Sequence, residues 1–522
     1  FRIFFRQLRS IGIALDRISR GNFSVHFHSL PFPTVSSEEA ASFIRSGQTI
    51  AVGGFTAAGS VKAVTRALAE RIRGEKGGEP FRIRVLAGAS TDANVDDALA
   101  AVGAISYRTP YQSSELLRKQ INERSVEFVD MHLSSMMPLL KNGVLGTIDF
   151  AIFEAAALSR EGHVLLTSAV GPVPTFARMA KSIIVEVNSY HPDSLEGLHD
   201  IYELSPPPLT REIPIYRASD RIGSTLMKVD PAKVVAVVRT DVPDAPVPFQ
   251  AIDATSRQIG ENIVQFLLDE RLAGRIPESF LPLQAGVGNV SNALMGALCA
   301  DQAFPPFDMY SEVLQDTVFD GIESGRIRFA SSAGLAVSPA VLRRIYDHLP
   351  TYRKKLVLRP QEITNHPEII RRLGLIGIIT ALEVDIWGNV NSTHVCGSHL
   401  VNGIGGSGDF ARNCYISIFA TPSTAKGGAI SCIVPLCSHV DHTEHDTQIF
   451  VTERGVADLR GRGPRERARL IIERCAHPDF QPLLRDYLDR GAEGRVGLDI
   501  RRAFDVHSAY REKGSMRPTE GG

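Results

Sequence analysis

The sequence predicts an α/β protein of two successive, related halves, each built on a mostly parallel sheet, with a cleft between them. Three observations predict it. Short β-branched runs alternate with helical stretches from about residue 48 onward, the pattern of strands covered on both faces by crossover helices. The pattern restarts after a Pro-rich, acid-dotted segment, Asp241–Pro248. Each half opens with a strand running into a glycine turn, first at Gln48–Gly59 and again at Leu281–Val290. With 522 residues, 43% hydrophobic and 22% charged, the chain has the composition of a globular protein and the length for two or more domains.

The elements follow in order. Residues 1–36 carry five arginines, no lysine, no glutamate and one aspartate. At ~100° per residue, Arg2, Arg6, Arg9, Arg17 and Arg20 share one sector, with Phe4, Leu8, Ile11, Leu15 and Ile18 nearly opposite. An amphipathic, Arg-rich, acid-poor helix followed by serines has the signature of a mitochondrial transit peptide; the bland alternative is a peripheral helix. Ser36 and Glu39 make a capping-box pattern, and Gly47 is placed to end the short helix that follows. Strands are expected at Gln48–Val52, Phe81–Ala87, Asp149–Phe153, His163–Leu166, Ser182–Val187 and Lys233–Val238, with a helix at Val61–Ile72. Past the linker come a helix near Ser256–Asp269, a strand, turn and helix at 281–290, and strands at Arg326–Ala330, Lys355–Leu358 and Ile416–Phe419. The expected organisation is thus an extension over 1–36, α/β halves over 37–240 and 241–510, and a polar tail over 511–522.

Composition excludes several functions. Lys+Arg 57 against Asp+Glu 58 leaves a net charge of −1, without the basic excess that holds a protein to nucleic acid. The longest apolar run, Leu373–Leu382, is about half the ~20 residues of a membrane-spanning helix. Six cysteines, never spaced Cys-x-x-Cys, suit reduced thiols better than a disulfide framework.

Three small-residue turns could cradle an anion with backbone N–H groups: Gly53–Gly59, Gly286–Asn289 and Gly403–Gly408. None matches the P-loop or completes the dinucleotide fingerprint, and each equally suits a tight strand-to-helix turn. Glu312, in Met309-Tyr-Ser-Glu-Val-Leu-Gln-Asp316, sits where a strand passes into a turn, the usual place for an α/β active site. His439-Val-Asp-His442-Thr-Glu-His445 has metal-ligand residue types. It lacks the His-Glu-x-x-His helix pattern, so hydrogen-bonded structure is the preferred reading and no metal is expected.

Six longer motifs occur in order: Leu283-Gln-Ala-Gly-Val-Gly-Asn-Val-Ser-Asn292, Tyr310-Ser-Glu-Val-Leu-Gln-Asp316, Asp385-Ile-Trp-Gly-Asn-Val-Asn-Ser-Thr393, Asn402-Gly-Ile-Gly-Gly-Ser-Gly-Asp-Phe-Ala-Arg412, Ser423-Thr-Ala-Lys-Gly-Gly428 and Val451-Thr-Glu-Arg-Gly-Val-Ala-Asp-Leu-Arg460. Together they resemble the acetyl-CoA hydrolase/transferase family, particularly its succinyl-CoA:acetate CoA-transferases, over about Ser36 to Arg490. The resemblance implies two CoA-transferase-type domains, a homodimer, and coenzyme A as substrate with no tightly bound cofactor. It places Glu312 as the nucleophile that becomes a glutamyl-CoA thioester, and the Val287 and Gly406 amides as oxyanion donors. Asn365 falls near the reactive centre. The turn Gly286, Val287, Gly288, Asn289 and Val290, with Gly406 and Lys426, falls to CoA, and Glu453 and Arg239 fall near the cleft. Read without the family, Lys426 is a surface lysine and Asn365 a turn former. Ala57 stands where relatives often have glycine, which bears on the acyl pocket.

The leading function is therefore transfer of CoA between acetate and succinate. Its rival is hydrolysis of acetyl-CoA by the same residues, and a reading of another class is a non-catalytic sensor of acyl-CoA or sugar phosphate. The 1–36 stretch contributes about +4, so the enzyme proper is mildly acidic and must hold an anionic substrate through local amides and a few cations.

Overall fold

Residues 32–75, 77–246, 251–491 and 494–517 are described by a computed structural model of the chain. The arginine-rich segment read as an address lies outside them, apart from its last five residues.

The first half is built on seven strands: β1 (Thr49–Val52), β2 (Ile83–Leu86), β3 (Ile105–Thr109), β4 (Glu127–Phe128), β5 (Ile148–Ala155), β6 (Ala180–Asn188) and β7 (Val234–Thr240). All are parallel, in the order β7-β6-β5-β1-β2-β3-β4. Every residue of β1 is buried, as is all of β5 except Asp149. That is why these strands read as continuous apolar runs rather than alternating ones.

The second half repeats the plan with β8 (Leu283–Ala285), β9 (Phe307–Tyr310), β10 (Ile327–Ser332), β11 (Leu356–Leu358), β12 (Ile376–Thr380), β13 (Ile416–Ala420), β14 (Ile449–Thr452) and β15 (Gly455–Asp458). Their order is β11-β10-β9-β8-β12-β13-β14-β15, parallel up to the closing β14–β15 hairpin. In each sheet the first strand lies inside, with the next strand on one side and a later strand on the other. The winding therefore reverses at β1/β5 and at β8/β12, and ligands of open α/β sheets bind beyond the strand ends at such reversals. The two glycine turns, 53–59 and 286–288, follow β1 and β8 directly.

Ser36 caps the first helix, accepting the Glu39 N–H at 3.1 Å. That helix ends at Ser42, so Gly47 is not its C-terminal glycine; at φ +85° it shapes the turn into β1. The second helix begins at Val64 rather than Val61. Its start is set by Glu186 on β6, whose carboxylate accepts the N–H groups of Lys62, Ala63 and Val64 at 2.7, 3.0 and 2.8 Å. His163–Leu165 is a strand, but of a small antiparallel sheet. The tail expected from residue 511 includes the end of a helix, Asp505–Lys513, and Met516, which is buried in the core.

The halves share their core. One apolar cluster runs from Ala51 and Phe153 to Leu283, Phe307 and Val451. The expected linker is also more than a tether, because Asp244 within it is buried in the first half and accepts from Gly59 N at 3.2 Å and Lys62 Nζ at 3.0 Å. Residues 198–222, before that linker, pack on the second sheet, and 198–200 run beside β11: Leu198 O accepts from Leu358 N at 3.0 Å and Leu358 O from Asp200 N at 2.8 Å. Arg359 pairs there with Asp200, both buried.

Candidate active site

Glu312 lies two residues past the end of β9, and its backbone is pinned before its side chain is considered. The Glu312 carbonyl accepts from Ala333 N at 2.9 Å and from Ser332 Oγ at 2.8 Å. Ser311 Oγ donates to Ala285 O at 3.0 Å, tying this turn to the end of β8 and its glycine turn. Around it, Phe55, Ala58, Ala89, Leu133 and Ala169 of the first half pack with Val313, Ala333 and Ala336 of the second. The carboxylate thus points into the seam between the halves.

Two other residues reach it. Asn365 follows the short helix Gln361–Thr364, is fully buried, and donates from Nδ2 to Glu312 Oε1 at 2.5 Å. Gly406 presents its Cα to the same carboxylate, and a Cβ there would overlap Glu312 Oε1 and meet Asn365 Nδ2. Glycine is required here by close approach, not by backbone conformation, because its φ of −90° suits any residue. Burial drives the Glu312 carboxyl up from its ordinary 4.5 to about 7, the Asn365 hydrogen bond opposes this, and the nearby Asp409 carboxylate adds to it.

The loop carrying Gly406 is braced from the first half. Asp130 accepts Ile404 N at 2.9 and 3.0 Å, Leu133 N donates to Gly405 O at 3.2 Å, and Asn402 Nδ2 donates to Tyr111 OH at 3.3 Å. On its other side Ser407 Oγ donates to Ile404 O at 2.7 Å and lies 3.1 Å from His442 Nε2. Burial holds the His442 imidazole down at about 4, hence neutral at pH 7. The histidine stretch is therefore part of the brace, with His439 paired to Asp441 at 3.2 Å. Among the described residues, the set that converges closely enough for one ion is a different one, Glu154, His191 and Asp244. Lys62 Nζ sits 2.6 Å from Glu154 and 3.0 Å from Asp244, so a lysine already supplies that cation.

Of the residues singled out in the sequence, Glu312, Asn365 and Gly406 come together in one contact cluster. Gly286, Val287, Gly288, Asn289 and Val290 form the adjoining turn, and the helix Asn289–Ala300 starts from it. Val287 is half exposed at its mouth. Lys426 is exposed, with Nζ bonded to Tyr510 OH at 2.5 Å. Glu453, in the β14–β15 turn, accepts Ser423 N at 2.8 Å. Arg239 is exposed near the end of the edge strand β7. The recorded partners of these three lie outside the Glu312 cluster. Asp409, Ser134 and Tyr111 had no place in the reading of the sequence. Asp409 stands within the quoted Gly-Ser-Gly-Asp-Phe motif, but Ser134 carries no local signal.

Keeping this half-buried, desolvated carboxylate ionised has a stability cost whose sign is fixed. Between about pH 4.5 and 7 the folded protein retains a proton that the unfolded chain releases, so stability falls as pH rises through this window and levels off above it. Glu312→Gln is expected to stabilise the fold by about 2–3 kcal/mol at pH 8, with the gain vanishing toward pH 4.5. Thermal melts of both proteins across pH 4.5–8 check this; an equal or lower Tm for the variant at pH 8 contradicts it.

Known proteins resemble this chain over most of its length. The family model described as acetyl-CoA hydrolase/transferase N-terminal domain matches residues 29–239, and the corresponding C-terminal domain model matches residues 342–488. A propanoyl-CoA:succinate CoA transferase of Escherichia coli K12 is 47% identical over 483 residues, 92% of this chain and 98% of that one. A succinyl-CoA:acetate CoA-transferase of Clostridium kluyveri is 43% identical, covering 92% of this chain and 90% of its own. An acetyl-CoA hydrolase of Schizosaccharomyces pombe is 40% identical, covering 91% and 94%. Among solved structures, RipA from Yersinia pestis superposes with a TM-score of 0.67 at 26% identity, over 88% of this chain and 97% of its own.

Proposed function

The chain belongs to the acetyl-CoA hydrolase/transferase family, and on that premise we propose that it moves CoA between acetyl-CoA and succinate, or succinyl-CoA and acetate, through a thioester on Glu312. The observation that carries this reading is the Glu312 carboxylate, half-buried at the seam with the Asn365 amide on one oxygen and the bare Gly406 Cα against it.

The chemistry needs a carboxylate. Glu312 attacks the acyl-CoA carbonyl and expels CoA thiolate, leaving a mixed anhydride. The thiolate then attacks the glutamyl carbonyl, forming the Glu312–CoA thioester and releasing the free acid; an incoming acid reverses both steps. A serine could form an ester but could not accept the thiolate in this way. Each addition develops an oxyanion, for which the Val287 and Gly406 N–H groups are the assigned donors, each contributing a few kcal/mol. The turn 286–290 and the start of the helix Asn289–Ala300 would meet the anionic part of CoA, and Lys426 is assigned to CoA on the family resemblance alone. Hydrolysis differs only in letting water attack the same intermediates, so exclusion of water on closing decides between the two. The seam, closed by hydrogen bonds that the Gly406 loop donates to Asp130 and Tyr111 and accepts from Leu133, supports transfer.

Intact-mass measurement after adding acetyl-CoA without acceptor tests the reading. A gain the size of CoA is expected, absent in Glu312→Ala. Its rate of formation should rise with pH through about 7, because the nucleophile must be ionised. No adduct in the unmodified enzyme would sink the mechanism. Equal CoA release with and without succinate, and no succinyl-CoA, would make the enzyme a hydrolase instead.

A further inference from the structure

The amide nitrogen of Asn365 reaches two carboxylates, not one. Besides Glu312 at 2.5 Å, it lies 3.2 Å from Asp409 Oδ2. An amide NH2 has two hydrogens, so one goes to each acid. Asp409 is itself 3% exposed and is gripped from the other half: Ser134 N donates to Oδ2 at 3.0 Å and Ser134 Oγ to Oδ1 at 2.5 Å.

A carboxylate on Glu312 orients the amide by itself, because it accepts hydrogen bonds only. The anhydride and the thioester carry no charge at that position, and a neutral acyl oxygen orients an amide far more weakly. Asp409 is not consumed by the reaction. We propose that Asp409, held by Ser134, is the positioning residue of the transfer, keeping the Asn365 N–H aimed at the glutamyl oxygen while Glu312 is esterified. This rests on the glutamyl-CoA reading above. The N–H then meets the charge that develops on that oxygen when thiolate or an incoming acid attacks the glutamyl carbonyl. Ser134 belongs to the first half and Asp409 to the second, so the amide is aimed only when the halves are seated together.

The titratable and charged groups around Asp409 are Glu312, Arg412 at the C-terminal cap of the same short helix, and, beyond it, His132, which lies 2.8 Å from Arg412 Nη2. The Asp409 charge opposes ionisation of Glu312. Removing that charge while keeping the shape is therefore expected to move the acid limb of the reaction to lower pH. Loss of packing alone would not do this.

The test is the rate of CoA-adduct formation by quenched intact mass, across pH 5–8.5, for the full chain and for Asp409→Asn, Asp409→Ala and Ser134→Ala. Asparagine can accept from Ser134 N and Asn365 through its oxygen and donate to Ser134 Oγ, so its loss is expected to be about 10-fold, with the limb displaced downward. Asp409→Ala is expected to lose about 10²-fold and Ser134→Ala about 10-fold, as a misaimed donor does. Ser134→Ala keeps the test alive if Asp409→Ala does not fold. An unmoved limb in Asp409→Asn, or unmodified rates in Asp409→Ala and Ser134→Ala, overturns the proposal while leaving the glutamyl mechanism standing. Absence of the adduct in the unmodified enzyme overturns both.

Discussion

Gly406→Ala is expected to lower acyl-CoA turnover by about 10³-fold while the protein remains folded. The backbone at 406 has φ −90° and ψ 0°, so an alanine is conformationally acceptable. What it cannot share is space, since its Cβ would overlap Glu312 Oε1 and press on Asn365 Nδ2. Both are ends of side chains, which swing away at little cost to the fold. Swinging Glu312 misplaces the nucleophile, for which about 10²-fold is typical, and pressing on Asn365 disturbs the donor that holds Glu312 Oε1, worth a further 10-fold or more. Steady-state rates with a parallel melting curve check this. Near-normal turnover would mean that the carboxylate does not react from the position it holds against Gly406.

Lys62→Met is expected to be the most destabilising single substitution considered, by about 3–5 kcal/mol. Its ammonium lies 2.6 Å from Glu154, 3.0 Å from Asp244 and 2.8 Å from Ser60 O, with all three ionisable side chains at 2% exposure or less. The methionine matches the volume and deletes the charge, leaving two buried carboxylates facing each other. The attraction holds the Lys62 pKa up and that of Glu154 down despite burial, which opposes both charges. Denaturant unfolding at pH 7.5 measures the loss. Because Asp244 fastens the segment between the halves, limited proteolysis around 241–250 should also accelerate. A loss under 1 kcal/mol would show that the pair is solvated rather than dry.

Much of this molecule is legible along the chain because it is local. The Ser36 cap needs only Glu39, three residues on. The strand at 49–52, the turn after it, the strand at 283–285 and its turn were expected from apolar runs meeting glycines, and Glu312 from a strand meeting a turn. Other elements gave too little local signal. β3, Ile-Ser-Tyr-Arg-Thr, has no apolar run and was not among the expected strands; its Arg108 is fully buried, paired at 2.9 Å with Asp96. β9 was read only as the strand that passes into the turn at Glu312, without bounds.

The sequence by itself determined the α/β class, the two-part plan and, through its long motifs, the family, and it singled out Glu312 as the proposed nucleophile, since each signal rests on short runs of residue types along the chain. The tertiary structure alone decided what surrounds that carboxylate. Asn365 stands 53 positions from Glu312, Asp409 stands 44 from Asn365, and Ser134 stands 275 from Asp409. It also decided that the helix after β1 starts where Glu186 caps it, 122 positions away, and that residues 198–222 lie on the second sheet. Periodicity and capping are short-range and leave their mark on neighbouring letters. Burial, charge pairing and the approach of one backbone to a distant side chain arise only when two sheets are packed against each other.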